Sequence, residues 1–222
     1  MNPLSVLRDS LYFFRRNILA IVRLCLPLVV LEAFCKGLLD HAAGPEHSPV
    51  YDIVLGLLFY PLYTAALILF MDVRSNGVQP LTRNLLAAAM RLWPMFALLT
   101  GTSTVLIILG MSMFVLPGLW IMVKLAFSEY LLVLRNLTPL EAIRESFAMT
   151  RGHFWRILTC VLAVLAPLWL LNGVSDQLYP DPRNPLLGLA IDSVNSFLQL
   201  FTSVVLYRLF MLLSDAKGDG PR

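Results

Sequence analysis

Lys124 and Glu129 are the side chains of this sequence whose types most invite chemistry, because both lie in an apolar run over 119–134. A charge in a membrane-length apolar segment is costly. It marks an ion, solute or lipid site, or a polar contact that holds helices together. On one continuous helix the two side chains project about 140° apart, so each is expected to find its partner on another helix. A second constellation lies in 187–213, where Asp192, Asn195, Ser196, Gln199, Thr202 and Ser203 recur at helical spacing. Such a stripe suits hydrogen bonding between helices, and it also suits the wall of a hydrated or headgroup-binding cavity. Glu32 and Lys36 stand i, i+4 in the favourable order, as a self-neutralising pair or as an ion site. Arg23 lies little more than one turn inside the same run and can snorkel to the interface.

Catalytic chemistry finds little footing. The three histidines, His41, His47 and His153, form no metal-ligand spacing such as HExxH. No Ser, His and carboxylate set converges at one level, and no paired acid suits intramembrane hydrolysis. Catalytic, metal and cofactor residues are therefore assigned to none of these positions, and a non-enzymatic protein is expected. Nucleotide-binding motifs and basic nucleic-acid patches are absent from the sequence. Cys25, Cys35 and Cys160 sit inside apolar runs and read as small buried hydrophobes rather than a disulfide framework.

The elements that must position these groups follow from composition. Of 222 residues, 58% are hydrophobic and 14% charged, with a mean hydropathy of +0.75, which excludes an ordinary soluble domain. Six runs approach or exceed the ~20 apolar residues a spanning helix needs: 18–39, 50–71, 95–116, 119–134, 154–173 and 187–213. The first carries Arg23, Glu32 and Lys36 and is too long for a cleavable signal. Arginines crowd alternate connections: Arg8, Arg15 and Arg16, then Arg74, Arg83 and Arg91, then Arg135, Arg144, Arg151 and Arg156. The intervening connections are acidic or short. The positive-inside rule accordingly predicts six crossings with both termini in the cytoplasm.

Three stretches repeat one pattern. Asn2-Pro3-Leu4 leads through Arg8 to Arg15, Gln79-Pro80-Leu81 leads to Arg91, and Thr138-Pro139-Leu140 leads through Arg144 to Arg151. Thr138 suits an N-cap, Pro139 the first helical position and Glu141 a capping box. Leu140, Ile143, Phe147 and Phe154 then share an apolar face. Each stretch is predicted to be a short amphipathic helix in the interface, with arginines reaching anionic headgroups. Pro94 and Gly152 allow a bend into the bilayer, Trp93 and Trp155 mark the headgroup level, and Pro117-Gly118 forms a hairpin turn. The predicted fold class is all-α: a polytopic membrane helical bundle of six transmembrane helices. It forms a single integral membrane domain over 1–222. It contains three repeats, approximately 2–71, 79–134 and 138–213, each an amphipathic interfacial helix plus two spans.

The stretch from Leu116-Pro117-Gly118-Leu119-Trp120 through Glu129, Thr138-Pro139-Leu140-Glu141-Ala142, Ser146 and Thr150-Arg151-Gly152-His153-Phe154-Trp155 is distinctive. It resembles the YciC-like family of bacterial inner-membrane proteins, related to the membrane domain fused to some glycerophosphoryl diester phosphodiesterases. The match is specific over roughly 115–160. The resemblance implies a bacterial cytoplasmic membrane and a connection with envelope or phospholipid homeostasis. It supplies no catalytic residue, and no phosphodiesterase domain is present.

The sequence thus predicts a non-enzymatic multi-pass inner-membrane protein. Its expected partners are membrane phospholipids with anionic headgroups, together with envelope proteins. The candidate headgroup contacts are Arg8, Arg15, Arg16, Arg91, Arg144, Arg151 and Arg156. The candidate buried lipid or solute contacts are Lys124, Glu129, Asp192, Asn195 and Gln199. The alternative is a small-solute or ion transporter that uses the intramembrane charges.

Overall fold

Helix is the only backbone form that satisfies its own polar groups within one apolar segment, and every element among the described residues is a helix. In the computed structural model, which describes residues 3–43, 49–178 and 185–216, eight α-helices follow one another. They are α1 (Pro3–Ala43), α2 (Pro49–Ser75), α3 (Thr82–Met113), α4 (Val115–Leu125), α5 (Ser128–Arg135), α6 (Pro139–Met149), α7 (Phe154–Leu178) and α8 (Pro185–Ala216). Among the described residues, five segments are long and apolar enough to cross a membrane: Ser5–Leu39, Ile53–Ser75, Thr82–Met113, Val115–Arg135 and Ser193–Asp215. A sixth arises if α6 and the start of α7, bent by 106°, count as one broken span. The protein is an all-α polytopic membrane bundle.

α1 packs between α8 and α2, α2 also carries α3, and α5 joins the centre through α2 and α6. The core is continuous across these helices, with Ile21, Leu24 and Cys25 of α1, Ala65 to Ile68 and Met71 of α2, Tyr130 to Leu132 of α5, and Val205 and Phe210 of α8. Ala65 and Ala66 are fully buried, and their small side chains let neighbouring backbones come close. α3 is peripheral and presents Leu98, Val105, Ile108 and Leu109 outward, as a lipid-facing helix does.

The repeat expected from sequence takes a different form at each copy. Only the third contains a separate short helix, α6. The first copy is simply the beginning of α1, and the second continues through Pro94 within α3. The reason is local. After α6 the chain has Gly152 at φ +80, a left-handed conformation open to glycine, and the helix stops. No glycine follows Arg15 or Arg91 at the matching place, and one internal proline removes only one hydrogen bond.

α6 also buries a face the apolar pattern did not mark. Pro139, Ala142, Ser146 and Met149 pack inward, while Leu140 is 69% exposed. The hairpin turn between α3 and α4 falls at Phe114 rather than at Pro117-Gly118, which lie in the first turns of α4. Gly110 and Gly118 meet across that hairpin, where a Cβ on Gly110 would stand 3.0 Å from Gly118 Cα. Trp93 Nε1 donates to the Leu58 carbonyl of α2 at 2.9 Å, which ties the Pro94 region of α3 to α2. Trp155 is 75% exposed at the α6–α7 corner.

Candidate functional site

The membrane segment that carries Lys124 and Glu129 is broken between them. α4 ends at Leu125, Ala126 and Phe127 turn, and α5 begins at Ser128. A break inside an apolar bundle frees backbone groups that need new partners. Ser146 of α6 supplies two: its hydroxyl donates to the Lys124 carbonyl at 2.6 Å and accepts from the Phe127 N–H at 3.2 Å. Ser128 Oγ donates to the Leu125 carbonyl at 2.6 Å. The break leaves Lys124 in the last turn of α4 and Glu129 in the first turn of α5. Each charge therefore sits at the helix end whose partial charge opposes its own.

Glu129 finds its partner on α2. The Tyr60 hydroxyl lies 3.1 Å from Oε1 and 3.2 Å from Oε2, donating to the carboxylate. Tyr60 is itself held edge-on to Tyr63, with ring centroids 5.6 Å apart. The next residue, Tyr130, donates to the Ser203 carbonyl of α8 at 2.8 Å and stacks on Phe210. α5 is thereby pinned to α2 on one side and to α8 on the other. Tyr60 carried no distinguishing signal in sequence, since a tyrosine in an apolar run reads as one more hydrophobe. Glu32 and Lys36 form the i, i+4 ion pair at 2.7 Å, leaving Glu32 Oε2 buried and without a hydrogen-bond partner among the described residues.

Lys124 has no such carboxylate among the described residues. It is only 8% exposed, and its Nζ lies 5.7 Å from the centre of the Trp120 ring, a cation–π arrangement. Trp120 meets Phe147 of α6 edge to face at 5.8 Å. Arg151, also a cation, lies within electrostatic reach of it.

Among the described residues, no side-chain hydrogen bond or ion pair joins the polar stripe of α8 to Lys124 or Glu129. Asn195 and Ser196 are half-buried and Gln199 is exposed, while the Asp192 side chain lies outside the described residues. Thr202 Oγ1 is buried without a partner among the described residues, and Ser203 contributes through its main-chain carbonyl.

The headgroup candidates Arg8, Arg15, Arg16, Arg91, Arg144, Arg151 and Arg156 are all exposed. Arg8, Arg15 and Arg16 surround a shallow recess of about 560 Å³ together with Leu11 and Tyr12. Arg144 borders a second recess of about 400 Å³ with Arg135, Glu141, Glu145 and Ser214. Other basic residues are committed to structure. Arg135 binds Glu145 at 2.6 Å and Ser214 at 3.1 Å, joining α5, α6 and α8. Arg74 Nε donates to Asn17 Oδ1 at 3.0 Å, and Arg208 pairs with Asp9 at 3.5 Å. Sequence alone could not separate these tied arginines from the free ones. The Thr138–Glu141 capping box forms, with Glu141 Oε2 accepting from Thr138 Oγ1 at 2.7 Å and from its N–H at 3.0 Å. The Thr138 hydroxyl, then its amide, hold the Glu141 carboxyl below the usual carboxylate range. His153 Nδ1 lies 3.2 Å from the Arg151 carbonyl at the α6–α7 corner.

No family profile matches the chain, and no solved structure does. Among curated proteins, a UPF0259 membrane protein of Pectobacterium carotovorum subsp. carotovorum is 21% identical, aligned over 94% of this chain and 97% of that protein. A membrane protein aligned over nearly the whole of both chains agrees with the five to six membrane-length segments found here. The chain is a multi-pass membrane protein.

Proposed function

We propose that this protein is a non-enzymatic component of the bacterial cytoplasmic membrane that engages anionic phospholipids and serves envelope or phospholipid organisation. The observation that carries this reading is the α1 cluster, in which Arg8, Arg15 and Arg16 are exposed around one recess beside Leu11 and Tyr12. Basic side chains beside apolar and aromatic ones suit the boundary between headgroups and acyl chains. Each arginine close to an anionic surface contributes about 1 kcal/mol. The charge asymmetry of the connections supports cytoplasmic termini, and the YciC-like resemblance over 115–160 supports a bacterial inner membrane. Envelope proteins are the further partners in this reading.

The test is the lipid that accompanies the purified protein. Replacing Arg8, Arg15 and Arg16 together with Gln is expected to deplete phosphatidylglycerol and cardiolipin relative to phosphatidylethanolamine, with insertion intact. An unchanged lipid profile would refute the reading.

A second reading has one observation in its favour. The α4–α5 break puts Lys124 and Glu129 at opposed helix ends within an apolar segment, as discontinuous helices do around substrates in transporters. Solute flux in proteoliposomes, measured beside lipid scrambling, separates the two. Flux abolished by Glu129→Gln in a folded protein selects the transporter.

A further inference from the structure

We propose that Lys124, Trp120 and Arg151 form a binding site for the phosphate group of a phospholipid, between α4 and the corner that joins α6 to α7. The inference rests on the phospholipid reading for the source of that phosphate and adds a specific place for it. Ser146 of α6 holds the Lys124 carbonyl at 2.6 Å and Phe147 meets the Trp120 ring at 5.8 Å, so this part of α4 packs on the end of α6 that leads into Arg151. The two cations are within electrostatic reach of each other, and an anion bound with them relieves that repulsion. The acids of the neighbouring helix are already committed. Glu145 pairs with Arg135, and Glu141 caps its own helix at Thr138. Among the described residues, Lys124 therefore has no carboxylate partner.

Three features prepare the place for an anion rather than for bulk water alone. Lys124 is 8% exposed, and its ammonium lies over the Trp120 ring at 5.7 Å from the centre, which sets its direction. Trp120 is itself 47% exposed and braced by Phe147, which leaves an apolar surface beside the cation for an acyl chain or glycerol backbone. Gly152 at φ +80 and the His153 contact with the Arg151 carbonyl shape the corner that presents Arg151. A phosphate offers several acceptor oxygens and negative charge to both cations, and arginine can engage it with two parallel hydrogen bonds.

The experiment is native mass spectrometry of the detergent-purified full chain, titrated with phosphatidylglycerol, with diacylglycerol of the same chains, and with inorganic phosphate. Wild type is expected to retain phosphatidylglycerol but not diacylglycerol. Arg151→Gln and Lys124→Met are each expected to weaken phosphatidylglycerol binding about fivefold, the loss of one cation near the phosphate. Lys124→Arg keeps the charge and is expected to keep the lipid. Arg151 is exposed, so its variant reports on binding without a buried side chain being altered, and thermal unfolding checks that it folds. Competition by inorganic phosphate, lost in Arg151→Gln, would support the same phosphate chemistry from a soluble source. Binding indifferent to both Arg151→Gln and Lys124→Met, or equal binding of diacylglycerol, overturns the site. The Arg8, Arg15 and Arg16 triple variant separates the two readings. If it alone loses lipid, this site fails and the broader reading stands. If the corner variants alone lose lipid, the site stands and the α1 reading fails.

Discussion

The hydroxyl of Tyr60 reaches both oxygens of Glu129, at 3.1 and 3.2 Å, and links α2 to the first turn of α5. Removing that donor leaves a carboxyl group in an apolar neighbourhood with less compensation. Tyr60→Phe is expected to destabilise the bundle by about 1–3 kcal/mol, the usual loss when a buried polar group is orphaned. Glu129→Gln is expected to cost less, because the amide oxygen still accepts from Tyr60. Thermal unfolding in detergent ranks the two. Equal stability of Tyr60→Phe and wild type would remove this bond from the account of the fold.

Lys124 and Glu129 answer to different partners, so their losses are expected to add. Lys124 lies over the Trp120 ring, whereas Glu129 accepts from Tyr60. In a cycle of Lys124→Met, Glu129→Gln and the double variant, the coupling energy is expected to stay within about 0.5 kcal/mol. Recovery of stability in the double variant would reveal a direct pairing that the separated contacts do not contain.

Gly110 and Gly118 let α3 and α4 close on each other. A Cβ on Gly110 would lie 2.7 Å from Ile121 Cδ1 and 3.0 Å from Gly118 Cα, and one on Gly118 would lie 3.0 Å from the Met111 nitrogen. Backbone atoms cannot yield as a side-chain tip does. Gly110→Ala is therefore expected to lower stability by about 1–3 kcal/mol. An unchanged melting temperature in Gly110→Ala and Gly118→Ala would show that the hairpin does not need this approach.

Glu141 gives the α6 cap a defined pH response. Its hydrogen bonds from Thr138 lower its pKa in the folded protein. Their contribution is full above the unfolded carboxylate value of about 4.3 and fades as pH falls through the lower folded value. Amide exchange at Thr138 is expected to quicken in Glu141→Ala relative to wild type at neutral pH. The difference is expected to narrow in acid. A gap that persists unchanged at the lowest pH would assign the effect to something other than the carboxylate.

Topology reporters test the charge argument. Fusions after Ser214, and within 74–84 and 135–145, are expected to report cytoplasm, and fusions within 41–49 and 176–185 the opposite side. A cytoplasmic signal from 176–185 would change the parity of the last two spans.

Much of the architecture was legible in sequence because apolar length and charge distribution act one segment at a time. Long, predominantly apolar runs fix membrane-length helices, and Thr138, Pro139 and Glu141 fix the start of α6 through bonds within four residues. What tertiary structure decided is the break at Ala126 and Phe127, which no proline or glycine announces. That break depends on Ser146, a residue of another helix, to satisfy the opened backbone. The same holds for the choice of Tyr60 as Glu129's partner and for the division of arginines into tied and free. Arg135 and Arg144 look alike in sequence, yet only the first meets Glu145 and Ser214. Local pattern determines which segments become helices, whereas the compensation of each buried charge is a property of the neighbour that packing brings to it.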